Sequence, residues 1–437
     1  MRILRGRSRR DLEDKLEKLF DELWPLHRSL TGTGYRQSLR ILSRWMPLRV
    51  LKFRSGSKIF DWIVPPEWSV KEAYFIGPNG QRRADVKKNN LHLLAYSSPF
   101  CGRVSLEKLK QHLHTRPDLP EAIPYVTSYY QKTWGFSLSH QEYQSLESGS
   151  YQVVIKTSFK KGTVDLGEAV ISGKTCQEIL FTSYLCHPSM ANNELSGPLT
   201  LACLYRLLKQ KPIPNFRYTL RFLLNPETIG SLCYLKRREK QLQARLVGGF
   251  VVSCVGMNAP LSMKSSKLGS SPLETIAREL VKKNKGKVRP FGPSGSDDRQ
   301  YGSPGFNLPI GILSRAFDFD FPEYHTCWDN KKCLSFGKII EAAELIYEAL
   351  IRLNNWKIFK GKILKGEPFL TKYQLYPTIS RGHARETGLS PLQTAVKWVL
   401  NQSDGKTDLR EIAKKSNLRI YLLEKAVRLL KRKGLLY

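Results

Sequence analysis

Four imidazole or carboxylate side chains follow apolar runs or lie in polar loops in the second half of this 437-residue chain. They are His187, Glu194, Glu227 and His325. Zinc sites use neutral imidazoles and carboxylates that converge from separate loops, and a catalytic site keeps one position open for water. A further carboxylate beside that water can take its proton as general base. The four residues provide the inventory of a metal-dependent hydrolytic site, and their order along the chain favours this over the alternative that each is a surface or hydrogen-bonding residue.

The elements around these residues predict an α/β domain with a largely parallel sheet. From residue 151 onward, runs typical of strands alternate with runs of helical periodicity. We predict strands at 151–157, 177–183, 218–224 and 248–254, and helices at 199–209, 272–283 and 336–354. In such sheets, ligands bind at the carboxyl ends of the strands. His187 and Glu227 each follow a predicted strand, so both are expected at this edge.

The rest of the chain predicts two further parts. Short alternating runs with Pro and Gly punctuation, after a helical start, indicate an inserted small β-rich domain. Three short helical patterns with a basic last member are typical of a winged helix or helix-turn-helix, at 391–402, 408–416 and 420–433. The predicted boundaries are 1–48 for the helical start of the main domain, 49–148 for the β-rich insert, 149–360 for the α/β domain and 380–437 for the winged helix.

The order of the motifs is similar to that of co-catalytic zinc aminopeptidases. The matching words are His187, Asn193-Glu-Leu-Ser-Gly197, Glu227-Thr-Ile-Gly-Ser231, Ser296-Asp297 and Tyr324-His-Thr326. More closely, the chain resembles bacterial aminopeptidase-like proteins of uncharacterised function, through the words at 24–32, 89–92, 124–130, 134–140, 186–197 and 304–309. The resemblance covers nearly the whole chain. It implies a zinc-aminopeptidase-like, mostly parallel mixed sheet flanked by helices, with an inserted β domain and a C-terminal winged helix.

The resemblance also implies a role for individual residues. The metal ligands would be His187, Glu194 and His325, and Asp297 and Arg299 would line the substrate site. Apart from the resemblance, Tyr324 and Trp328 flank His325 and predict either an apolar substrate pocket or part of the core. Glu227 would act as the catalytic general base. Asn192 and Asn193 compete with Glu194 for the place of the carboxylate that bridges two metal ions.

Three positions depart from the two-metal pattern. Thr228 stands where a second glutamate ligand is expected, and Met257 and Asn258 stand where another acidic ligand is expected. Two zinc ions bring four positive charges, of which Glu194 and Glu227 could neutralise about half. We therefore expect one zinc ion, a disfavoured second site and reduced activity. A site without metal is the remaining alternative.

The composition is strongly basic, with a formal net charge of +33. The positive electrostatic field of such a chain attracts anionic partners such as nucleic acid. A general basic bias of the proteome explains the same net charge, because Lys and Arg are spread along the whole chain. The eight cysteines include no Cys-x-x-Cys pair, so reduced, buried thiols are expected. No apolar run approaches the roughly 20 residues of a membrane span, and the basic start lacks an apolar signal core. We expect a cytoplasmic protein.

Three functions remain open at this point. The first is a metal-dependent aminopeptidase or related amidohydrolase that cleaves an amide or peptide bond in a small substrate. The second is a non-catalytic relative that binds nucleic acid or an acidic partner through its basic surface and winged helix. The third is a carbohydrate-pathway enzyme acting on an amide or acyl group, which ranks below the first because no residue argues for a sugar. Homo-oligomerisation also stays open.

Overall fold

The computed structural model describes residue 3 and residues 6–317, 321–375 and 390–437. The chain divides into two compact units, Met1–Ile351 and Arg352–Tyr437. The predicted start of the winged helix at residue 380 lies outside the described residues. Among the helices that the structure describes, none has the length and apolar content that crossing a bilayer requires.

The first unit alternates strands and helices along much of its length. Its helices, the last of which runs into the second unit, are α1 (Gly6–Leu23), α2 (Thr33–Ser43), α3 (Leu106–Lys110), α4 (His140–Gln144), α5 (Ser196–Gln210), α6 (Ile229–Arg245), α7 (Pro272–Lys283), α8 (Asp298–Tyr301) and α9 (Phe336–Asn354). Its strands are β1 (Arg49–Arg54), β2 (Lys58–Ile59), β3 (Trp62–Ile63), β4 (Glu67–Ile76), β5 (Arg82–Arg83), β6 (Phe100–Ser105), β7 (Leu113–His114), β8 (Phe136–Ser137), β9 (Ser150–Lys160), β10 (Thr163–Ile171), β11 (Glu178–Tyr184), β12 (Thr219–Asn225), β13 (Leu246–Val252), β14 (Ser262–Lys264), β15 (Val288–Arg289) and β16 (Ile310–Ser314).

An eight-stranded mixed sheet forms the centre of the first unit, in the order β1-β10-β12-β11-β13-β16-β14-β15. Its four middle strands, β12, β11, β13 and β16, are parallel. The chain leaves β11 through α5 to reach β12 on one side, and then crosses through α6 to β13 on the other side. Such a change of direction opens a crevice at the carboxyl ends of the strands, where ligands bind. The predicted fold class is confirmed.

The central strand β11 is buried along its whole length. Because successive side chains of a strand point to opposite faces, a strand of this kind needs cover on both sides of the sheet. Helices α5, α6 and α7 pack against the sheet. Burial of each large apolar side chain, such as Phe181, contributes about 1.5–3 kcal/mol to stability, which fixes β11 as a rigid base for the loop that follows it.

A smaller antiparallel sheet has the order β5-β4-β9-β6. Two strands near the predicted borders of the insert belong to a different sheet from the one that those borders imply. β1, inside the predicted insert 49–148, pairs with β10 at the edge of the large sheet, whereas β9, expected in the α/β domain, pairs with β4 and β6. Alternating hydrophobicity identifies a strand and its buried face, but it does not identify the pairing partner.

The second unit contains three helices and a short two-stranded sheet among its described residues. Its elements are β17 (Ile358–Lys360), α10 (Pro391–Gln402), β18 (Asp404–Asp408), α11 (Leu409–Ser416) and α12 (Ile420–Arg432). α10 begins with a capping box between Ser390 and Gln393. The Asp408 side chain accepts the Arg410 N–H at the start of α11, as its position before a helical pattern predicts. The helices lie within one residue of the predicted ranges.

Candidate active site

The loop after β11 is fixed by a buried carboxylate from a distant part of the chain. Ala191–Leu195 forms a π-helical turn that continues into α5 and carries Glu194. Asp329 accepts the backbone N–H groups of Asn192 and Asn193 at 2.7 and 2.9 Å. These contacts satisfy donors that the start of a helix leaves unpaired. Turns of this type are frequent at functional sites, and here the turn directs Glu194 back toward the end of β11.

Glu194 is fully buried and holds His187 at two points. One carboxylate oxygen accepts the His187 backbone N–H at 2.9 Å, and the other lies 2.8 Å from His187 Nδ1. A carboxylate at one ring nitrogen sets the orientation of the imidazole and leaves the other nitrogen for a metal or a reacting group. His187 Nε2 lies 3.8 Å from Glu227 Oε2. The three side chains therefore form a row that ends at Glu227.

Glu227 follows β12, and its side chain is partly exposed. The Ser296 hydroxyl donates to Glu227 Oε1 at 2.7 Å. The next residue, Thr228, has φ = +64°, a value that non-glycine residues rarely adopt. Its N–H donates to Asp297 Oδ1 at 2.7 Å. Unusual backbone of this kind persists only where the surroundings hold it, so Asp297 and Ser296 together determine how Glu227 is presented.

Asp297 was predicted to line the substrate site, and it lies buried beneath the Glu227 turn. Besides the Thr228 N–H, its oxygens accept the Asn225 side-chain amide at 2.8 Å and the Ser231 hydroxyl at 2.9 Å. Burial and the charge of Glu227 raise the pKa of Asp297 to about 7. These contacts make Asp297 a positioning residue, while its predicted contact with substrate stays a prediction.

Arg299 and Tyr324 occupy different surroundings. Arg299 is exposed and donates to Thr228 Oγ1 at 3.2 Å, on the turn that carries Glu227. The Tyr324 ring stacks on His325 with 4.0 Å between centroids. Both side chains thus lie beside the row of residues at the strand ends, and their contact with substrate stays a prediction.

His325 reaches the same centre from a late loop. Its ring centroid lies 5.2 Å from that of His187, and its backbone has φ = +55°. His325 Nε2 is buried and has no hydrogen-bond partner among the described residues. Burial and the neighbouring His187 lower the pKa of His325 well below 6.5. The imidazole is therefore neutral, which is the form that binds metals.

Cys186 and Arg28 complete the buried centre, although neither was among the predicted site residues. Cys186 Sγ lies 3.4 Å from His187 Nδ1 and accepts the Glu227 N–H at 3.3 Å. Arg28 is fully buried, and its Nε donates to the His187 carbonyl at 3.2 Å. Among the described residues, Cys186, His187 and Glu194 are the group of three metal-ligating side chains whose donor atoms all lie within 4.8 Å of one another. His325 is not part of that group.

The charges of this centre are closely matched. Burial lowers the pKa of His187, but Cys186 and Glu194 raise it more, so that it lies well above 6.5. Burial raises the pKa of the Cys186 thiol to about 11. Arg28 carries a buried positive charge within electrostatic reach of Glu194. His187 and Arg28 therefore place two basic groups beside the side chains of Glu194 and Glu227.

A cavity of about 480 Å³ opens beside Glu227, and we call it the cleft. Its described lining includes five aromatic rings, those of Tyr184, Phe291, Phe317, Phe321 and Tyr324. Asn193 also lines the cleft, where its side-chain amide donates to the Tyr184 hydroxyl at 3.2 Å. Cavities with apolar walls and a few polar groups are typical of small-molecule sites. Among the described residues that line the cleft, Glu227 is the one carboxylate.

The structure thus brings His187, Glu194, Glu227 and His325 to one edge of the sheet. The sequence prediction missed Arg28, Cys186, Asp329 and Tyr125, whose ring lies 4.9 Å from that of His187. A signal for three of them existed, because Arg28, Tyr125 and Cys186 lie inside the words at 24–32, 124–130 and 186–197 on which the resemblance rests. Asp329 follows the motif Tyr324-His-Thr326 by three residues.

Asp329 provides a pH-dependent contribution to stability. Burial raises its pKa from 3.8 to about 7. Between these values the unfolded chain has lost the proton that the folded chain keeps, so the contribution is present below pH 4 and is lost as the pH rises toward 7. We expect the difference in unfolding free energy between wild type and Asp329→Asn to fall across this window in urea titrations. A pH-independent difference would contradict the expectation.

Comparison with known families identifies the chain. The model of the family described as "Domain of unknown function (DUF4910)" matches residues 17–355. The chain belongs to the DUF4910 family. In this DUF4910 protein, residues 357–437 match the model described as "winged helix-turn-helix", which confirms the predicted C-terminal domain.

Related proteins carry the aminopeptidase-like description. A Clostridium acetobutylicum protein named for polysaccharide biosynthesis and an aminopeptidase-like domain is 37% identical over 406 residues, which is 92% of each chain. A crystal structure from C. acetobutylicum, described as that of a candidate peptidase, is 35% identical with a TM-score of 0.79, covering 98% of this chain and 97% of that one. The zinc aminopeptidase BSAP of Bacillus subtilis is 14% identical with a TM-score of 0.58, covering 79% and 94%. This last likeness shows the fold, and the predicted resemblance is confirmed.

Proposed function

We propose that this DUF4910 protein is an aminopeptidase-like hydrolase that cleaves an amide or peptide bond in a small substrate. The observation that carries the proposal is the row Glu194, His187 and Glu227, which ends at the cleft beside the carboxyl ends of parallel strands. A buried carboxylate orients an imidazole, and a partly exposed carboxylate faces both that imidazole and the cavity. This arrangement supports activation of a water molecule beside a bound amide.

The described donors offer two nitrogen ligands for one zinc ion and no ligand set for a second. Among the described residues, no group hydrogen-bonds to His325 Nε2, a buried and neutral nitrogen, as is expected of a metal ligand. His187 Nε2 and His325 Nε2 are the nitrogens that would hold the ion. Glu194 Oε1 accepts the His187 N–H. Its Oε2, which has no hydrogen-bond partner among the described residues, lies 2.8 Å from His187 Nδ1, the ring nitrogen that points away from Nε2. We therefore propose that Glu194 orients His187, and its predicted role as a ligand stays the alternative.

A second zinc ion would lack both protein ligands and compensating negative charge. Thr228 and Met257 provide no carboxylate at the places where one was expected, and Met257 packs beside an apolar cluster around Phe321. Asn193 supplies an amide at the cleft. The buried charge of Arg28 further opposes the binding of a second divalent cation. We propose a site with one zinc ion and no second one.

Each residue assigned to the site then has a defined role. A bound zinc ion would polarise the substrate carbonyl and lower the pKa of its water. Glu227 Oε2 would take a proton from a water molecule in the cleft, and the Ser296 hydroxyl keeps the carboxylate turned toward the cleft. Glu194 keeps the His187 ring in one orientation. The aromatic walls of the cleft hold the apolar part of the substrate and exclude bulk water.

The proposal is tested by hydrolysis of aminoacyl amides and short peptides by the purified protein, with its zinc content measured in parallel. We expect release of free amino acid that stops on removal of zinc and returns on its addition. Retention of full activity after complete zinc removal, or no hydrolysis by zinc-loaded protein, would contradict the proposal. The proposal also includes a cytoplasmic location and a role in polysaccharide biosynthesis, the process in the name of the C. acetobutylicum relative. The hydrolysis assay does not test these two points.

A second function, binding of nucleic acid, is favoured by one face of α12. Tyr421, Lys425, Arg428 and Arg432 are exposed and follow the spacing of a single helical face. The opposite face is buried against the core of the second unit through residues such as Leu423 and Leu430. Residues 352–437 contain 19 Lys and Arg against six Asp and Glu. A basic stripe with an aromatic member is suited to the phosphate backbone.

Salt dependence measures this second function. We expect the full chain to bind duplex DNA with an affinity that falls linearly in a plot of log K against log salt concentration. Arg428→Ala should reduce the slope by about 1, because one phosphate contact is lost. Lys365→Ala removes the same charge from an exposed position outside α12 and serves as the control. Equal changes of slope in both variants would show a general charge effect and contradict an interface on α12.

A further inference from the structure

A second cavity lies beside the candidate active site and is lined mainly by residues of the predicted β-rich insert 49–148. It is a groove of about 810 Å³, and its described lining includes Leu113, His114, Thr115, Arg116, Tyr125 and His325. Tyr324 lines both this groove and the cleft. The stacked pair Tyr324 and His325 therefore stands between the two cavities, with Tyr324 in the wall of both and Glu227 on the side of the cleft.

Backbone contacts attach this groove to the His325 loop. The Tyr125 N–H donates to the His325 carbonyl at 2.8 Å, and the Cys327 N–H donates to the Ile123 carbonyl at 2.9 Å. An antiparallel bridge joins Pro124 and Thr326 between these bonds. The loop at 123–125 and the loop that carries His325 thus form one short ladder. The position of the groove relative to His325 is fixed by main-chain bonds.

The two cavities differ in how they are closed. Nine of the described residues that line the cleft are buried, whereas Pro124 and Tyr125 are the two buried ones among the described residues that line the groove. The cleft therefore ends in a closed floor and limits the size of what it accepts. The groove is open to solvent and can accept a chain that continues beyond it.

The groove offers hydrogen-bonding groups that suit an extended polar chain. Thr115 Oγ1 lies 3.1 Å from His140 Nδ1, and burial and His112 lower the pKa of His114, which leaves a neutral imidazole. β7, the strand Leu113–His114, is an outer member of the two-stranded sheet β7-β8. Outer strands can pair with an added peptide strand through main-chain bonds. This feature favours a peptide over a saccharide.

We propose that the groove binds the part of a peptide substrate that follows the scissile bond, while the cleft binds its amino-terminal residue. The inference rests on the proposed function for the position of the scissile bond. It adds that the substrate is a peptide of several residues, not only an aminoacyl amide, and that the inserted β-rich part contributes directly to substrate binding.

Binding to full-length Glu227→Gln protein tests the inference without turnover. The ligands are leucine amide, a tetrapeptide that begins with leucine, and leucine coupled through an amide to an aminodisaccharide. We expect the tetrapeptide to bind at least about tenfold tighter than leucine amide, which corresponds to about 1.4 kcal/mol. Thr115→Trp, which fills the groove, should abolish this ratio, and the matched variant Thr115→Ser, which keeps the hydroxyl, should preserve it.

Several results would overturn the groove assignment. The first is equal affinity for leucine amide and the tetrapeptide. The second is an affinity ratio between these two ligands that is unchanged in Thr115→Trp. The third is a disaccharide conjugate that binds as tightly as the tetrapeptide. The proposed function fails separately. Length-dependent binding without hydrolysis by the wild type would retain the groove and reject the hydrolase, whereas hydrolysis with no dependence on length would retain the hydrolase and reject the groove.

Discussion

Glu227→Gln is expected to lower kcat for amide hydrolysis by about 10²–10⁴-fold, the usual contribution of a general base. Glutamine keeps the shape of the side chain and can still accept from the Ser296 hydroxyl, which donates at 2.7 Å. It cannot take a proton from water. The 3.8 Å separation from His187 Nε2 places Glu227 beside the proposed ion. Because we assign Glu227 as the base and not as a ligand, we expect the zinc content of Glu227→Gln to stay near that of the wild type.

The zinc content of Glu227→Gln shows whether Glu227 acts as the base or as a metal ligand. If Glu227 bound the metal directly, Glu227→Gln would lose zinc along with activity, and that outcome would contradict its assignment as base. Glu239→Gln is the matched control, because Glu239 is exposed on α6, the helix that follows the Glu227 turn. This control should keep the wild-type kcat.

His325→Ala should produce the largest loss of zinc affinity, because it removes a nitrogen that would bind the ion directly. Glu194→Gln should weaken zinc binding less, by about 10–100-fold, since its carboxylate acts through the orientation of His187. His112→Ala provides the control, because His112 stacks on Trp134 with 3.6 Å between ring centroids, outside the residues assigned to the site. Competition with a chromophoric zinc chelator measures all three variants.

The order of these effects matters more than their size. If Glu194→Gln loses more zinc affinity than His325→Ala, Glu194 is itself a ligand, as the sequence resemblance implies. Unaltered affinity in His325→Ala would exclude this histidine from the metal site. Far-ultraviolet circular dichroism of each variant separates loss of metal from loss of fold.

The parts of the site that could be predicted from the sequence lie next to the strands. His187 and Glu227 directly follow strongly apolar runs, and the carboxyl ends of parallel strands meet at one edge of the sheet. Their proximity therefore follows from local patterns alone. The fold class and the three helices of the winged helix were predicted for the same reason, because hydrophobic periodicity and helix caps are local signals.

The function of Glu194 depends on features that no local pattern reveals. Its side chain turns toward His187 because the π-helical turn at Ala191–Leu195 is held by Asp329 from 137 and 136 positions along the chain. Arg28 reaches the His187 carbonyl from 159 residues away. Contacts of this length need the packed fold before they form. The residue types could therefore be predicted from the sequence, whereas the proposed division of tasks between ligand and orienting residue rests on the geometry.

The most direct test of the account is calorimetric titration of the metal-free wild-type protein with zinc. We predict one ion per chain at micromolar or tighter affinity. Because the pKa of His187 lies well above 6.5 before metal binds, binding should release a proton, which is seen as a dependence of the measured enthalpy on the buffer. Two ions per chain, or no binding at micromolar concentrations, would contradict a single-zinc hydrolase site built on His187 and His325.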